Sequence, residues 1–259
     1  MTKKFESLRK FNGIMGCIHL LQASIMLYLA LTVQKIIDFK PELWTYFLKF
    51  DTAQMRLVTN PEKIGTLPFG IGVALFLFIS AGAHFMIIAP KLNEVYNKEL
   101  KMGINKFRWY EYALSSSLMI VLISVLFGVY DVGSLILIFL LNVTMNLFGL
   151  IMEKMNHNKD KIDWSPFIFG SLAGIGPWIV IYLYAFGNAD PTEVPWFVYA
   201  IVISYFIFFN LFPINMILQY KKIGKWSDYL YGERIYIILS LSAKTVLAWL
   251  VFSGVMQPK

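Results

Sequence analysis

The chain has 259 residues, of which 58% are hydrophobic and only 15% charged, against roughly 25% charged in a soluble domain. That balance excludes a protein with much soluble mass. The single cysteine, Cys17, excludes an intrachain disulfide and any cysteine-based metal cluster, and reads as a small hydrophobe in an apolar helix. The net charge of +7 is spread over loops, which points to a membrane surface rather than to nucleic acid.

In chain order, apolar spans are predicted near 12–34, 67–90, 107–130, 133–152, 165–187, 196–219 and 235–256. Each is close to the roughly 20 residues that cross hydrocarbon as a helix. The expected fold is therefore all-α, a seven-transmembrane-helix bundle forming a single membrane domain over 1–259. The first span lacks a small-residue cleavage pattern, so it reads as a span and not a signal peptide. No ten-residue alternating segments suggest a barrel. The connections at 131–133 and 188–195 read as tight turns. The segment 35–66 is longer and of mixed charge, with Tyr46, Phe47, Phe50, Met55, Leu57 and Val58. It is expected to be a structured loop over one face of the bundle, with a strand at 53–59.

Seven spans put the N-terminus and the second, fourth and sixth loops on one side. That side carries sixteen Lys and Arg, the other six, and Lys244 lies within a span. The positive-inside rule then predicts a multi-pass protein of the cell membrane with a cytoplasmic N-terminus and an extracellular C-terminus. The 35–66 loop is then extracellular.

The chemistry lies inside the spans. Lys244 stands in the apolar run 235–252, about nine residues from either end of its span, too deep to reach water easily. An isolated ammonium there needs a partner or a function. Ser240 is one turn before it, on the same face and within reach of its nitrogen. Glu111 begins the third span, with Arg108 at i−3 and Ser115 at i+4. Three readings stay open for Lys244: a plain ion pair with Glu111, a site for a coupled ion, or a desolvated nucleophile that condenses with a carbonyl cofactor. Glu111 itself is either the partner of Lys244 or an interfacial carboxylate paired with Arg108.

His19 and His84 lie in the first two spans, and Ser80 is one turn before His84. With Glu111, Ser115 and Lys244 they are expected to form one polar cluster. His157 sits in a charged loop and reads as surface. No His-Glu-x-x-His spacing supports a metal site. Pro213 frees a carbonyl near Phe209 and should kink the sixth span. Phe209 and, in the fifth span, Trp178 beside Pro177 are candidate walls for a flat apolar ligand. Gly170-Ser-Leu-Ala-Gly174 is a small-residue helix-contact signal.

Ser240-Leu-Ser-Ala-Lys244 and Trp109-Tyr-Glu-Tyr112, with His19, His84 and Ser80, resemble the heliorhodopsins, microbial-type retinal-binding rhodopsins of inverted topology. The likeness runs over nearly the whole chain. It implies all-trans retinal on Lys244 as a protonated Schiff base, Glu111 as counter-ion, and Tyr112, Phe209 and Trp178 about the chromophore. It further implies a homodimer with the 35–66 loop at its contact, and a slow photocycle for signalling to a partner in the membrane or cytoplasm. The resemblance implies neither an enzyme nor an ion pump, and it fits the charge count. The proton-pump pattern carries a second carboxylate eleven residues beyond its counter-ion; here that position is Leu122. The aromatic four residues before the sixth-span proline is Phe209, where microbial pumps commonly have tryptophan. The rival readings are a light-driven or light-gated ion transporter, and a non-photic scaffold or transporter with a buried Lys–Glu pair.

Overall fold

A computed structural model of the protein describes residues 3–187 and 196–256. The turn expected at 188–195 lies outside the described residues. Helix α1 (Lys3–Thr32) is followed by the short α2 (Gln34–Asp38) and by two strands, β1 (Glu42–Asp51) and β2 (Arg56–Thr66). Then come α3 (Phe69–Ile88), the short α4 (Pro90–Lys101), α5 (Lys106–Leu126) and α6 (Val132–Asn156). The remaining helices are α7 (Ser165–Phe186), α8 (Trp196–Tyr220) and α9 (Tyr229–Met256). Among the described residues, seven helices are long and apolar enough to cross a membrane: α1, α3, α5, α6, α7, α8 and α9.

The helix ends follow local chemistry. The Asn105 side chain accepts from the Arg108 backbone N–H at 3.0 Å and caps α5. Asp131 does the same for α6, accepting from the Ser134 N–H at 2.7 Å. Beyond α5 the chain turns at Gly128, whose φ of 94° suits only a residue without a Cβ. Two helices begin before the apolar stretch does. α1 starts at Lys3 and not near 12, and α9 at Tyr229 and not near 235. Hydropathy marks only the lipid-facing length, whereas backbone hydrogen bonding propagates into the polar flank once a helix is nucleated. In α1 that extra turn is held by Phe5 and Leu8, both buried.

The 35–66 segment is a hairpin. β1 pairs antiparallel with β2, from Glu42 opposite Thr66 to Asp51 opposite Arg56, with an irregularity at Leu43/Trp44. The strand expected at 53–59 begins only at Arg56. Asp51 Oδ1 accepts from the N–H groups of Ala53 (2.8 Å) and Gln54 (3.1 Å), and Met55 has a φ of 49°, so these residues form the turn. The Trp44 N–H donates to Tyr130 O at 2.9 Å and ties the hairpin to the connection between α5 and α6.

α5 is the most enclosed of the seven spans and α8 the least. Within lipid, apolar burial gives helices little reason to associate, so close packing and polar bonds between helices must hold the bundle. Both are present. A Cβ on Gly149 of α6 would stand 2.3 Å from the Trp109 ring of α5, so the indole fills the place of a side chain. The 170–174 small-residue motif packs on α6: a Cβ on Gly170 would lie 2.9 Å from Phe148 Cβ. Asn142 Nδ2 of α6 donates to Ser116 Oγ (2.8 Å) and Ser117 Oγ (2.9 Å) of α5. α7 meets α8 through Trp178, stacked on Tyr205 at 4.7 Å.

Candidate functional site

Lys244 of α9 is 3% exposed and points into the bundle. Its Nζ donates to Glu111 Oε1 of α5 and to Ser80 Oγ of α3, each at 2.6 Å. Ser80 Oγ in turn donates to Glu111 Oε1 at 2.6 Å, with the Phe76 carbonyl at 3.1 Å as the alternative acceptor of its one proton. Three helices thus meet on one ammonium. A buried ion pair persists only when such additional hydrogen bonds offset desolvation. The hydroxyl bonded to Lys244 is Ser80, not Ser240. Ser240 shares the face of Lys244 as its spacing requires, but serves as cavity lining.

The neighbouring residues complete the polar end. The Tyr112 ring centroid is 5.3 Å from Lys244 Nζ, and its hydroxyl donates to the Tyr236 carbonyl at 3.0 Å. Ser115 is fully buried on the Glu111 face of α5. His84 Nδ1 lies 2.8 Å from Asn12 Oδ1. The Asn12 amide donates to the Leu8 carbonyl at 3.0 Å, so its oxygen is the acceptor and His84 Nδ1 carries the proton. His19 is fully buried, stacks on His84 at 5.5 Å between centroids, and has no partner on either ring nitrogen. His157 is remote: Nδ1 sits 2.7 Å from the Met102 carbonyl at the surface.

A cavity of about 330 Å³ opens from the lysine, with walls that include Tyr112, Met119, Tyr205, Phe209, Phe212 and Met216. Its size lies in the roughly 300–1,000 Å³ range of small-molecule sites. Phe209 lines it directly. Trp178 does not; it braces the wall from behind, stacked on Tyr205 and edge-on to Phe209 at 5.4 Å. Asn142, Asn146 and Ser116 supply a polar edge already occupied by their own hydrogen bonds. An apolar chamber with one primary amine in its wall, itself 2.6 Å from a carboxylate, fits an apolar aldehyde. Among the described residues no group of three His, Cys, Asp or Glu is placed to hold a metal ion.

Arg108 is not the partner of Glu111. It turns the other way, pairing through its two terminal nitrogens with Glu153 of α6 and Glu233 of α9. Glu153 also accepts from the Asn105 N–H (2.8 Å), Trp109 Nε1 (2.7 Å) and the Tyr229 hydroxyl (3.1 Å). Glu233 also accepts from Asn105 Nδ2 (2.7 Å) and the Tyr96 hydroxyl of α4 (3.1 Å). Sequence reasoning overlooked this cluster. Its three charges lie at the margins of their spans, where charge is ordinary, and no spacing within one helix joins them. The only available signal was an acidic residue near the end of two different spans beside Arg108.

Seven membrane helices around a buried lysine, a paired carboxylate and an apolar cavity define a rhodopsin-type retinal protein. The family model for heliorhodopsin matches residues 8–256, so the chain belongs to the heliorhodopsin family. Its membership makes it a light-sensing membrane photoreceptor with a retinal chromophore, embedded in a lipid bilayer. No curated protein matches the chain.

Proposed function

We propose that Lys244 is the attachment point of the chromophore, that Glu111 balances its charge, and that the protein signals without pumping ions. The observation that carries this is the placement of Lys244 Nζ, 2.6 Å from Glu111 Oε1, in the wall of the 330 Å³ apolar cavity. When bound, all-trans retinal would supply the visible absorption and the light-driven change of shape, joined to Lys244 through a protonated carbon–nitrogen double bond. The chain's own residues do the rest. Glu111 and Ser80 orient the Lys244 nitrogen and hold its positive charge away from bulk water. Phe209, Phe212, Tyr205 and Met119 confine an elongated ligand, and Trp178 keeps Tyr205 in place. Neutral His84, with Nδ1 committed to Asn12, leaves Nε2 as the accepting nitrogen of its ring.

The absence of pumping rests on Leu122. It occupies the place of an internal proton donor and is packed in the core, 1% exposed. A hairpin that exposes Tyr46, Leu48, Phe50 and Leu57 supports a homodimer contact there. The side rich in lysine and arginine supports a cytoplasmic N-terminus. The test is to purify the protein with all-trans retinal and follow colour and bulk pH under light. Lys244→Ala should abolish the visible band completely, and the parent should change no bulk pH in illuminated vesicles. A band that survives Lys244→Ala would place the chromophore on another lysine. A sustained pH change abolished by a protonophore would make the protein a transporter.

A further inference from the structure

The Arg108 cluster holds two carboxylates against one guanidinium, all three nearly inaccessible to solvent. With both acids ionised it carries a net charge of −1 inside a low-dielectric bundle, an arrangement that attracts a proton. The two acids are not equivalent. Each Glu153 oxygen accepts two donors: Arg108 and Tyr229 on one, the Asn105 N–H and Trp109 on the other. That carboxylate has no oxygen left on which a proton finds room. Glu233 has one oxygen with Tyr96 and Asn105, and the other with Arg108 alone.

Glu233 also faces the chromophore end of the site. A small cavity of about 40 Å³ touches Ser80, His84 and Glu111 at one end and Arg108 and Glu233 at the other. It exceeds the about 10–15 Å³ that a water needs, and its walls offer more than the two to four polar partners required. Asn12 brackets the two ends, meeting His84 Nδ1 on one side and the Tyr96 phenol on the other. Burial, reinforced by the charge of Glu233, holds that phenol well above its ordinary range, so Tyr96 remains a hydrogen-bond donor to Glu233. The groups facing Glu233 are therefore Asn12 (α1), Tyr96 (α4), Asn105, Arg108 (α5) and Glu153 (α6), with the Tyr236 ring of α9 stacked 3.9 Å from the guanidinium.

We infer that Glu233 is a second proton site, which receives across this cavity the proton released from the Lys244 nitrogen under light. The inference rests on the reading of Lys244 given above. The step is balanced: one N–H bond breaks at Lys244, one O–H bond forms on Glu233, and nothing is oxidised or reduced. A proton parked on Glu111 would sit 2.6 Å from the nitrogen it left and return at once. On Glu233 it is separated by a polar gap, and Arg108 is left to Glu153 alone. Tyr96 and Asn105 then bond a neutral acid, so the change is felt by the buried face of α4, whose opposite face exposes Lys91, Lys98 and Lys101.

Light-minus-dark infrared difference spectroscopy of the retinal-loaded protein tests this. The parent should gain a carboxylic C=O band as Lys244 loses its proton. Glu233→Gln should remove that band and lower the yield of the deprotonated state about tenfold, the equivalent of one unit of proton affinity. Glu153→Gln should keep the band. Tyr96→Phe leaves the carboxyl but removes one donor, and should move the band to higher frequency; it serves if Glu233→Gln fails to fold. A band that survives Glu233→Gln, or that Tyr96→Phe leaves unmoved, overturns the assignment, as does a band lost only with Glu111. If instead the parent takes no colour, or Lys244→Ala keeps it, the attachment reading fails and Glu233 is not at issue.

Discussion

Among the described residues the bundle contains two buried ionic sites, and they are built to opposite plans. At Lys244 one cation meets one carboxylate, and the surroundings are left open: two cavities, a serine shared between the charges, and a histidine with neither nitrogen bonded. At Arg108 one cation meets two carboxylates, and the surroundings are nearly filled with donors from α4, α5, α9 and the loop before α5. The open site has room for covalent chemistry and for a moving proton. The filled one ties helices together, and its Arg108 and Glu233 edge faces the small cavity. A planar fork suits the second role and a flexible primary amine the first.

Breaking the filled site should have the largest effect. Arg108→Ala strands two buried carboxylates, and loss of one partner from a buried pair costs about 3–5 kcal/mol. The variant should unfold at much lower temperature or fail to accumulate, as detergent-solubilised thermal unfolding would read. A melting temperature within a degree or so of the parent would show that the cluster is not structural.

Breaking the open site should leave the fold and change the chromophore. Glu111→Gln removes the charge facing the Lys244 nitrogen. Its visible band should shift to the red, and the colour should be lost at a lower pH than in the parent, because the cation is no longer supported. A spectrum and titration that match the parent would separate Glu111 from the chromophore.

The histidines sharpen the boundary of the open site. His84→Ala should alter the spectrum or the light-induced proton release, whereas His157→Ala, at the surface, should alter neither. Equal effects of the two would mean that the polar cluster is drawn in the wrong place.

The smallest effect belongs to an ion pair outside both sites. Lys4 Nζ meets Asp228 Oδ2 at 2.7 Å, and this hydrogen bond, ahead of all other causes, holds the Asp228 carboxyl below its ordinary value. A carboxylate lowered by folding contributes stability above its unfolded value, which is lost as pH falls through the folded value. Lys4→Ala should therefore cost less than about 1 kcal/mol at neutral pH, as usual for exposed pairs. The difference should vanish in acid, so a melting temperature gap that persists at low pH would assign it to packing.

Much of this was legible in the sequence. Seven spans, the special status of Lys244 and Glu111, and the small-residue face of α7 follow from hydropathy, from the cost of charge in hydrocarbon, and from helical spacing. These depend only on neighbours along the chain. The family match adds a retinal chromophore. What the chain order does not carry is which side chain of one helix meets which of another. Arg108 lies three residues from Glu111 and yet pairs with residues 45 and 125 positions away. Ser80, 164 positions from Lys244, takes the bond that spacing offered to Ser240. Trp178 stands behind the cavity wall, because Tyr205 and Phe209 of α8 come between it and the site, whereas Gly170 and Ile175 of the same helix line the cavity directly. The sequence alone determined which residues must be satisfied inside the membrane; only the packing of helices distant in sequence decided by whom, since a buried charge is bound by whatever the tertiary fold places within reach.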